Sequence, residues 1–208
     1  MIGIIDYGMG NLKSVSNAFR SLGFGAFIAT GPKELDRADK IVLPGVGAFE
    51  GAITELRHSG WADRVIEAGA SGTPLLGICL GMQLLFEVGY ENGTHKGLGI
   101  LPGHVDRIPD AVLPGNRKMK IPQVGWNLLE IRRKSSILPD SDDAYVYFVH
   151  SYYAVTEPEY VSAVTSYGSE LTAAVERGNV FGVQFHPEKS GKCGLGILRR
   201  FAETGLAR

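Results

Sequence analysis

Cysteine is scarce in this sequence: Cys79 and Cys193 are the only two among 208 residues. Two cysteines are too few for the disulfide framework of a small secreted domain, and neither lies in a paired spacing typical of a zinc site. The sequence therefore predicts no structural disulfide and no metal site. It also raises the question of why Cys79 stands between glycines at the end of an apolar run.

An excess of charge of one sign is also lacking, as are long apolar runs. The 21 basic and 22 acidic residues leave a net charge of −1. A protein that binds nucleic acid or an anionic membrane through its charge needs a basic patch, so we expect neither partner. The opening MIGIIDYGMG has neither the basic start of a signal peptide nor the apolar length of a membrane span. We expect an unprocessed cytoplasmic protein.

No repeat, low-complexity tract or linker divides the chain. Its length suits one domain of ordinary size, and we expect a single domain over residues 1–208. Hydrophobic residues make up 44% and charged residues 21%, close to the average for soluble proteins. This composition disfavours a disordered or fibrous protein.

Short apolar runs alternate with amphipathic stretches through the first half of the chain. Apolar residues recur at helical spacing from Leu12 to Leu22, with Asn11 as the predicted N-cap and Gly23 as the stop. Strands alternating with helices predict a parallel, doubly wound sheet, in which ligands bind beyond the carboxyl ends of the strands. The predicted strands are 2–6, 25–29, 40–44 and 74–78, and the further helices are 49–56 and 61–68.

Strand-like segments with short polar joints dominate the second half, namely 99–108, 145–153, 161–167 and 181–186. We interpret them as an antiparallel or mixed extension of the same sheet, and a last helix is predicted over 194–207. The predicted fold class is therefore α/β, with a mostly parallel, doubly wound sheet that is flanked by helices and extended by mixed or antiparallel strands.

Cys79 lies in GICLG, which has the form Gly-x-Cys-x-Gly, after an apolar strand and before MQLLFE, which has helical spacing. This is the thiol version of the nucleophile elbow, a sharp turn that presents a serine in hydrolases of this fold class. The N-terminus of the following helix would point N–H groups at the sulfur and favour the reactive thiolate. A small core cysteine is the alternative interpretation.

A thiolate nucleophile in hydrolysis needs a base that a third group orients. The segment GVQFHPEKS supplies His186 at the end of an alternating strand and Glu188 two residues later. Because residues i and i+2 share a face in an extended segment, we expect the Glu188 carboxylate to reach one imidazole nitrogen while the other faces the thiol. The alternative is a strand-end histidine beside a solvated glutamate.

The turn PGVG follows the third predicted strand and contains Gly45, Val46 and Gly47. Its backbone N–H groups, with the amide of Leu80, could form an oxyanion hole, in which one donor is typically worth about 3–4 kcal/mol. An ordinary strand–helix loop is the alternative. The GMG of residues 8–10 lacks the third glycine of a dinucleotide-binding loop, so we predict no nucleotide site there.

Together, PGVG, GICLGMQLLFE, FVHSYY and GVQFHPEKS closely resemble the motifs of the class I, or triad, glutamine amidotransferases. Within that family, the opening IGIIDYGMGNLKSV and the later VGWN look like those of the glutaminase subunits that serve imidazole glycerol phosphate synthesis. The resemblance spans nearly the whole chain, and the combined motifs are specific although no single one is. Family members usually carry histidine and methionine before GWN, where this chain has Gln123 and Val124.

The resemblance implies a triad of Cys79, His186 and Glu188 that hydrolyses L-glutamine to glutamate and ammonia through a glutamyl thioester, without a cofactor. The PGVG turn and Leu80 would hold the oxyanion. Ammonia would pass to a separate, barrel-shaped cyclase subunit in a heterodimer, where imidazole glycerol phosphate and an aminoimidazole carboxamide ribotide are formed.

The resemblance also implies two further sets of residues. The residues expected to position glutamine are Gln83, His150, Ser151 and Tyr152. The residues expected at the interface with the cyclase subunit are Asn11, Trp126 and Lys189. A solvated lysine and a core tryptophan are the alternatives for the last two.

Three other functions stay open at this point. The chain could be an amidotransferase subunit for another acceptor, such as anthranilate or guanylate synthesis, although PGVG and the EKS after His-Pro argue against it. It could be a stand-alone thiol hydrolase or peptidase, which would act on peptides and need no partner. It could also be a binding or regulatory subunit with a degraded site, which the presence of all three triad residues disfavours.

Overall fold

Our structure of the protein is a computed structural model, which describes residues 1–110, 112–113, 117–140 and 144–205. Its α-helices are α1 (Leu12–Ser21), α2 (Phe49–His58), α3 (Trp61–Ser71), α4 (Leu80–Gln83) and α5 (Gly191–Glu203), and 3-10 helices cover Pro32–Arg37 and Pro187–Lys189. Its strands are β1 (Ile2–Ile5), β2 (Ala26–Ala29), β3 (Lys40–Leu43), β4 (Leu75–Ile78), β5 (Phe86–Gly89), β6 (His95–Lys96), β7 (Leu101–Arg107), β8 (Val112–Leu113), β9 (Arg117–Lys118), β10 (Gln123–Ile131), β11 (Ala144–His150), β12 (Tyr152–Val155), β13 (Val161–Tyr167), β14 (Ser169–Arg177) and β15 (Val180–Val183).

Nine strands form the main sheet, in the order β11-β10-β13-β14-β15-β4-β3-β1-β2. The strands from β15 to β2 are parallel. Those from β11 to β14 are antiparallel to their neighbours, and β14 also pairs antiparallel with β15. The predicted fold class, a doubly wound sheet with an extension of mixed direction, is confirmed.

A second sheet, in the order β12-β7-β5-β6, is separate from the main one. The prediction that 99–108 and 145–153 extend the main sheet is therefore partly wrong. β11 ends at His150 in the main sheet, and β12 begins at Tyr152 in the second sheet, where it pairs with β7. The chain changes sheets at Ser151, so two different sheets hold the residues on either side of it.

Helices cover both faces of the main sheet. On one face α1 packs against α5, with the rings of Phe19 and Phe201 6.3 Å apart between centroids. On the other face α2 and α3 bury Phe49, Leu56 and Trp61 almost completely. Because both faces are covered, the central strands β1 and β4 are buried at every position and carry unbroken apolar runs.

Several predicted boundaries differ from the structure. Asn11 occupies the N-cap position of α1, but its side chain makes no capping hydrogen bond. The predicted helix in MQLLFE is wrong beyond Gln83, because Phe86–Gly89 is strand β5 of the second sheet. The predicted strand 181–186 ends at Val183. The last helix ends at Glu203, and residues 206–207 of its prediction lie outside the described residues.

Candidate active site

Cys79 stands in a strained turn between β4 and α4. Its φ is +54° and its ψ is −114°, a conformation that non-glycine residues seldom adopt and that is often retained at functional sites. The Cys79 N–H donates a 2.8 Å hydrogen bond to Val183 O, which ties the turn to β15. An added Cβ at Gly81 would lie 1.9 Å from Leu43 O, so only glycine fits there. The predicted elbow geometry is present.

The helix that follows Cys79 is shorter than the sequence suggested. α4 contains four residues, and the N–H groups of Met82 and Gln83 already donate to Cys79 O. A helix of one turn has a small dipole, so the expected support of the thiolate by a helix N-terminus is weak here. Other groups must stabilise negative charge on this sulfur.

His186 and Glu188 meet as predicted, but for a different geometric reason. His186 Nδ1 lies 2.9 Å from Glu188 Oε1, and the side chains are 3% and 1% exposed. The two residues do not lie in an extended segment, because Glu188 belongs to the 3-10 helix Pro187–Lys189. The tight turn after Pro187 folds the carboxylate back onto the ring. The glutamate is buried, so the alternative of a solvated side chain is wrong.

The charge of His186 depends on both of its neighbours. Burial alone would lower its pKa, but interaction with Cys79 and the hydrogen bond to Glu188 outweigh burial and raise the pKa to about 9. His186 is therefore protonated at neutral pH when a thiolate faces it. Its other ring nitrogen, Nε2, is buried and has no hydrogen-bond partner among the described residues, which leaves it free to exchange a proton with a bound substrate.

Two buried carboxamides connect Cys79 to the second sheet. Gln184 Nε2 lies 3.7 Å from Cys79 Sγ, and Gln184 Oε1 accepts a 3.0 Å hydrogen bond from Gln83 Nε2. Gln83 Nε2 also donates to Tyr152 O at 2.8 Å. The predicted substrate residue Gln83 is thus held in one orientation. Sequence reasoning missed Gln184, although it stands two residues before His186 in the same motif.

His150 is fixed by bonds on both ring nitrogens. Nδ1 lies 2.8 Å from Tyr152 O, and Nε2 lies 3.0 Å from the Gln123 carboxamide. Burial, aided by the nearby charge of His186, lowers the pKa of His150 to about 4, so the ring is neutral at pH 7. Gln123, one of the two departures from the family pattern, is 2% exposed and supports His150 from behind, whereas Val124 is 58% exposed.

The PGVG turn borders the site through only part of its length. Val46 and Gly47 line the cavity beside Cys79, and Gly47 has a φ of +102° that favours glycine. Gly45 is buried behind the turn, where an added Cβ would lie 2.6 Å from Gly81 N and 2.8 Å from the Tyr7 hydroxyl. Gly45 therefore allows a close approach between the turn and the elbow, and it is not among the cavity-lining residues.

A cavity of about 400 Å³ opens over Cys79. All four residues expected to position glutamine line it, together with Leu80 and His186. Glu91 also lines it, a residue that no sequence motif indicated. The Glu91 carboxylate accepts a 2.7 Å hydrogen bond from the N–H of Phe49 at the start of α2, so its position is fixed. Glu91 stands 12 positions after Cys79 and belongs to no motif, so the sequence did not indicate it.

Beside the cavity lies an exposed apolar face on β10 and β11, which we define as Val124, Trp126, Tyr145, Tyr147 and Val149. Trp126 is 55% exposed, so the alternative of a core tryptophan is wrong. Lys189 Nζ lies 6.0 Å from the centre of the Tyr147 ring, against this face. Val149 also lines the cavity, so the face is continuous with the site. Asn11 is half-buried at the start of α1.

The described part of the chain offers no cluster of metal ligands. In residues 1–110, 112–113, 117–140 and 144–205, no group of three or more His, Cys, Asp or Glu side chains could hold a metal ion. Within the same ranges, no helix has the length and apolar character to cross a membrane.

Comparisons with known proteins agree with the geometry. Residues 3–203 match the family model described as glutamine amidotransferase class-I. The chain is 53% identical to imidazole glycerol phosphate synthase subunit HisH of Geobacillus sp. (strain WCH70), over 97% of this chain and 96% of the relative. It is 48% identical to the protein of the same name from Methanothermobacter thermautotrophicus, over 98% of each chain.

Solved structures share the fold at lower identity. The structure of PurLQS from Thermotoga maritima superposes with a TM-score of 0.74 at 20% identity, covering 96% of each chain. A crystal structure described as a glutamine amidotransferase gives a TM-score of 0.73 at 20% identity, covering 97% of this chain and 96% of the other. At such identities the likeness concerns the fold alone.

Proposed function

Because the chain belongs to the class I glutamine amidotransferase family, we propose that Cys79, His186 and Glu188 are the triad with which it hydrolyses glutamine. The chain acts as the glutaminase of imidazole glycerol phosphate synthase in histidine biosynthesis, as its relatives at about 50% identity over nearly their full length indicate. The observation that carries the triad is the buried His186–Glu188 pair facing Cys79 in a strained elbow.

In the proposed first step, the Cys79 thiolate attacks the side-chain amide carbon of glutamine. A carbon–sulfur bond forms, and the carbonyl electrons move to the oxygen, which the Leu80 N–H and the Val46–Gly47 segment at the cavity wall would stabilise. The carbon–nitrogen bond then breaks, and His186 gives its proton to the leaving nitrogen, which departs as ammonia. Glu188 holds the ring and stabilises its charge without transferring a proton.

In the proposed second step, water attacks the glutamyl thioester, with His186 now acting as the base. The thiolate leaves, His186 is protonated again, and glutamate is released. The Nε2 nitrogen of His186 is the group that takes the proton of this water, because Nδ1 is held by Glu188. No cofactor takes part in either step of this proposal.

The charged end of glutamine has matching groups across the cavity. We assign Gln83, His150, Ser151 and Tyr152 to the positioning of the substrate, and their support is that all four line the cavity. Glu91 adds a carboxylate that suits the α-ammonium group of the amino acid. The neutral His150 keeps positive charge away from that ammonium.

For the partner, we propose a heterodimer with a cyclase subunit that covers the exposed apolar face on β10 and β11. Trp126 belongs to this contact, since an exposed tryptophan is typical of an interface anchor, and Lys189 is included because it lies against the Tyr147 ring of the same face. Asn11 stays part of the proposed interface. The face adjoins the cavity at Val149, so a partner seated there could receive ammonia without release to water, where it is mostly protonated.

A single domain over residues 1–208 and a cytoplasmic location complete the proposal.

The most direct experiment is a glutaminase assay of the free chain and of its complex with the cyclase subunit, the latter loaded with its own ligand. We expect little glutamate from the free chain and strong stimulation by the loaded partner, and we expect His186→Ala to abolish the stimulated rate. Hydrolysis of peptides without a partner would replace this function with that of a thiol peptidase.

A further inference from the structure

Gln184 is a fully buried carboxamide at the centre of the site, with an exposure of 0%. It follows the last residue of β15, and β15 pairs in parallel with β4 so that Val183 lies opposite Ile78. The next residues of the two strands, Gln184 and Cys79, therefore come side by side beyond the carboxyl ends of the strands. The pairing of β15 with β4 therefore places the Gln184 carboxamide beside the proposed nucleophile.

The surrounding bonds determine which end of the Gln184 carboxamide faces the sulfur. Tyr152 O is a carbonyl and can only accept, so the group of Gln83 that lies 2.8 Å from it must be the NH2 group. The same NH2 group lies 3.0 Å from Gln184, which must then offer its oxygen. The Gln184 NH2 group is thereby directed at Cys79 Sγ, 3.7 Å away.

We propose that Gln184 is a catalytic residue that donates a hydrogen bond to the Cys79 sulfur and stabilises its thiolate form. The proposal rests on the glutaminase function above and names a further group of the same site. It adds the support that α4 lacks, since this helix has a single turn and the N–H groups of Met82 and Gln83 already donate to Cys79 O. Cys79 is only 6% exposed, so a charge on its sulfur has few water contacts and is stabilised by such a donor.

The chain of bonds also reaches the substrate pocket. Gln83 lines the cavity and lies between Gln184 and the backbone of β12. Substrate that contacts Gln83 would hold the chain of bonds in the orientation that directs the Gln184 donor at the sulfur. When the thiolate attacks the amide carbon, negative charge leaves the sulfur for the carbonyl oxygen, and the bond from Gln184 weakens as that step proceeds.

The titratable groups near Cys79 come from two other segments. His186 follows β15 and Tyr7 follows β1, and both interact electrostatically with Cys79. Glu188 acts on the sulfur through its hydrogen bond to His186, and His150 is a neighbour of His186 that lines the same cavity. A variant of Gln184 leaves all four groups in place, so its effect on the thiolate can be measured separately from theirs.

The test is the pH dependence of alkylation of Cys79 by iodoacetamide, followed by mass spectrometry of the Cys79 peptide. Gln184→Met keeps the size of the side chain but removes the donor, and we expect the midpoint of alkylation to rise by about one pH unit. The matched control is Gln123→Met, which removes a buried carboxamide bonded to His150 rather than to the sulfur. Its midpoint should equal that of the wild type.

If Gln184 were only structural, Gln184→Met would lower the thermal midpoint of unfolding and leave the alkylation midpoint unchanged, and that result would overturn the proposal.

A second measurement needs no variant of Gln184. The side-chain amide protons of Gln184 in the wild-type protein should titrate in NMR spectra with the midpoint of Cys79 alkylation and lose that titration in Cys79→Ala. Side-chain amide protons of Gln184 that do not respond to the ionisation of Cys79 would also overturn the proposal. Neither readout requires glutamine turnover, so failure of the proposed function would appear separately.

Discussion

The Nδ1 nitrogen of His186 lies 2.9 Å from Oε1 of Glu188, with both side chains removed from water. A buried carboxylate next to a ring nitrogen favours the protonated imidazole, and the facing Cys79 favours it as well. Together they overcome the effect of burial and raise the pKa of His186 to about 9. In the proposed mechanism, this proton is available to the leaving ammonia through the neutral range.

The first prediction concerns the alkaline side of the pH profile. Because the pKa of His186 is raised, the protonated form that gives up its proton is complete below pH 6.5 and disappears as the pH rises through about 9. We expect partner-stimulated kcat/KM for glutamine to fall above about pH 9. In Glu188→Gln the carboxylate that raises this pKa is gone, so the fall should begin at lower pH. An alkaline limb at the same pH in both proteins would contradict the assignment.

The second prediction concerns acid stability. The pKa of His150 is lowered to about 4 in the folded chain. Between pH 6.5 and about 4 the unfolded chain therefore binds a proton at this residue and the folded chain does not. Stability from this group is present above pH 6.5 and is lost as the pH falls toward 4, by about 3 kcal/mol in all. The free energy of unfolding in urea should therefore depend less on pH in His150→Gln than in the wild type. Parallel curves for the two proteins would show that His150 titrates normally.

The third prediction compares the two cysteines. Cys79 lines the cavity, whereas Cys193 is half-buried in α5 and burial raises the pKa of its thiol. A glutamine analogue with an electrophilic side chain should modify Cys79 and spare Cys193, as peptide mass spectrometry would reveal. Cys193→Ser should be labelled like the wild type. Modification of Cys193 with Cys79 untouched would refute the choice of nucleophile.

The fourth prediction concerns the apolar face on β10 and β11. Trp126→Ala should weaken binding to the cyclase subunit by about tenfold or more, because tryptophan anchors dominate interfaces, and Lys189→Ala should weaken it to a smaller extent. The matched control is Ile66→Ala on α3, which truncates another exposed apolar side chain, 43% exposed. Calorimetric titration measures all three. Equal affinity for the control and both variants would place the partner elsewhere.

Local sequence patterns predicted the parts of the fold that depend on local burial. The apolar runs at β1, β3 and β4 and the helical spacing of α1 carry their own signal, since each side of the sheet is covered by helices. The second sheet was missed because the apolar run after Gln83 fits a helix and a strand equally well. The pairing of β5 with β6 and β7 distinguishes them.

The candidate site was predictable to the extent that its residues lie in short motifs. Cys79, His186 and Glu188 each stand in a recognisable short motif, whereas the proposed role of Gln184 depends on the alignment of β15 with β4. Glu91 depends in the same way on its bond to the start of α2. These are contacts between distant segments, and no spacing within one segment encodes them.

We propose that this chain supplies only the ammonia and that Cys79 is the nucleophile that releases it from glutamine. The direct measurement is synthesis of imidazole glycerol phosphate by the complex of Cys79→Ala with the cyclase subunit, first with glutamine and then with ammonium salt at a pH that yields free ammonia. Loss of one small sulfur leaves the exposed apolar face on β10 and β11 intact, so we expect the complex to form. We expect no product from glutamine and wild-type product from ammonia. Continued synthesis from glutamine in Cys79→Ala would contradict the claim.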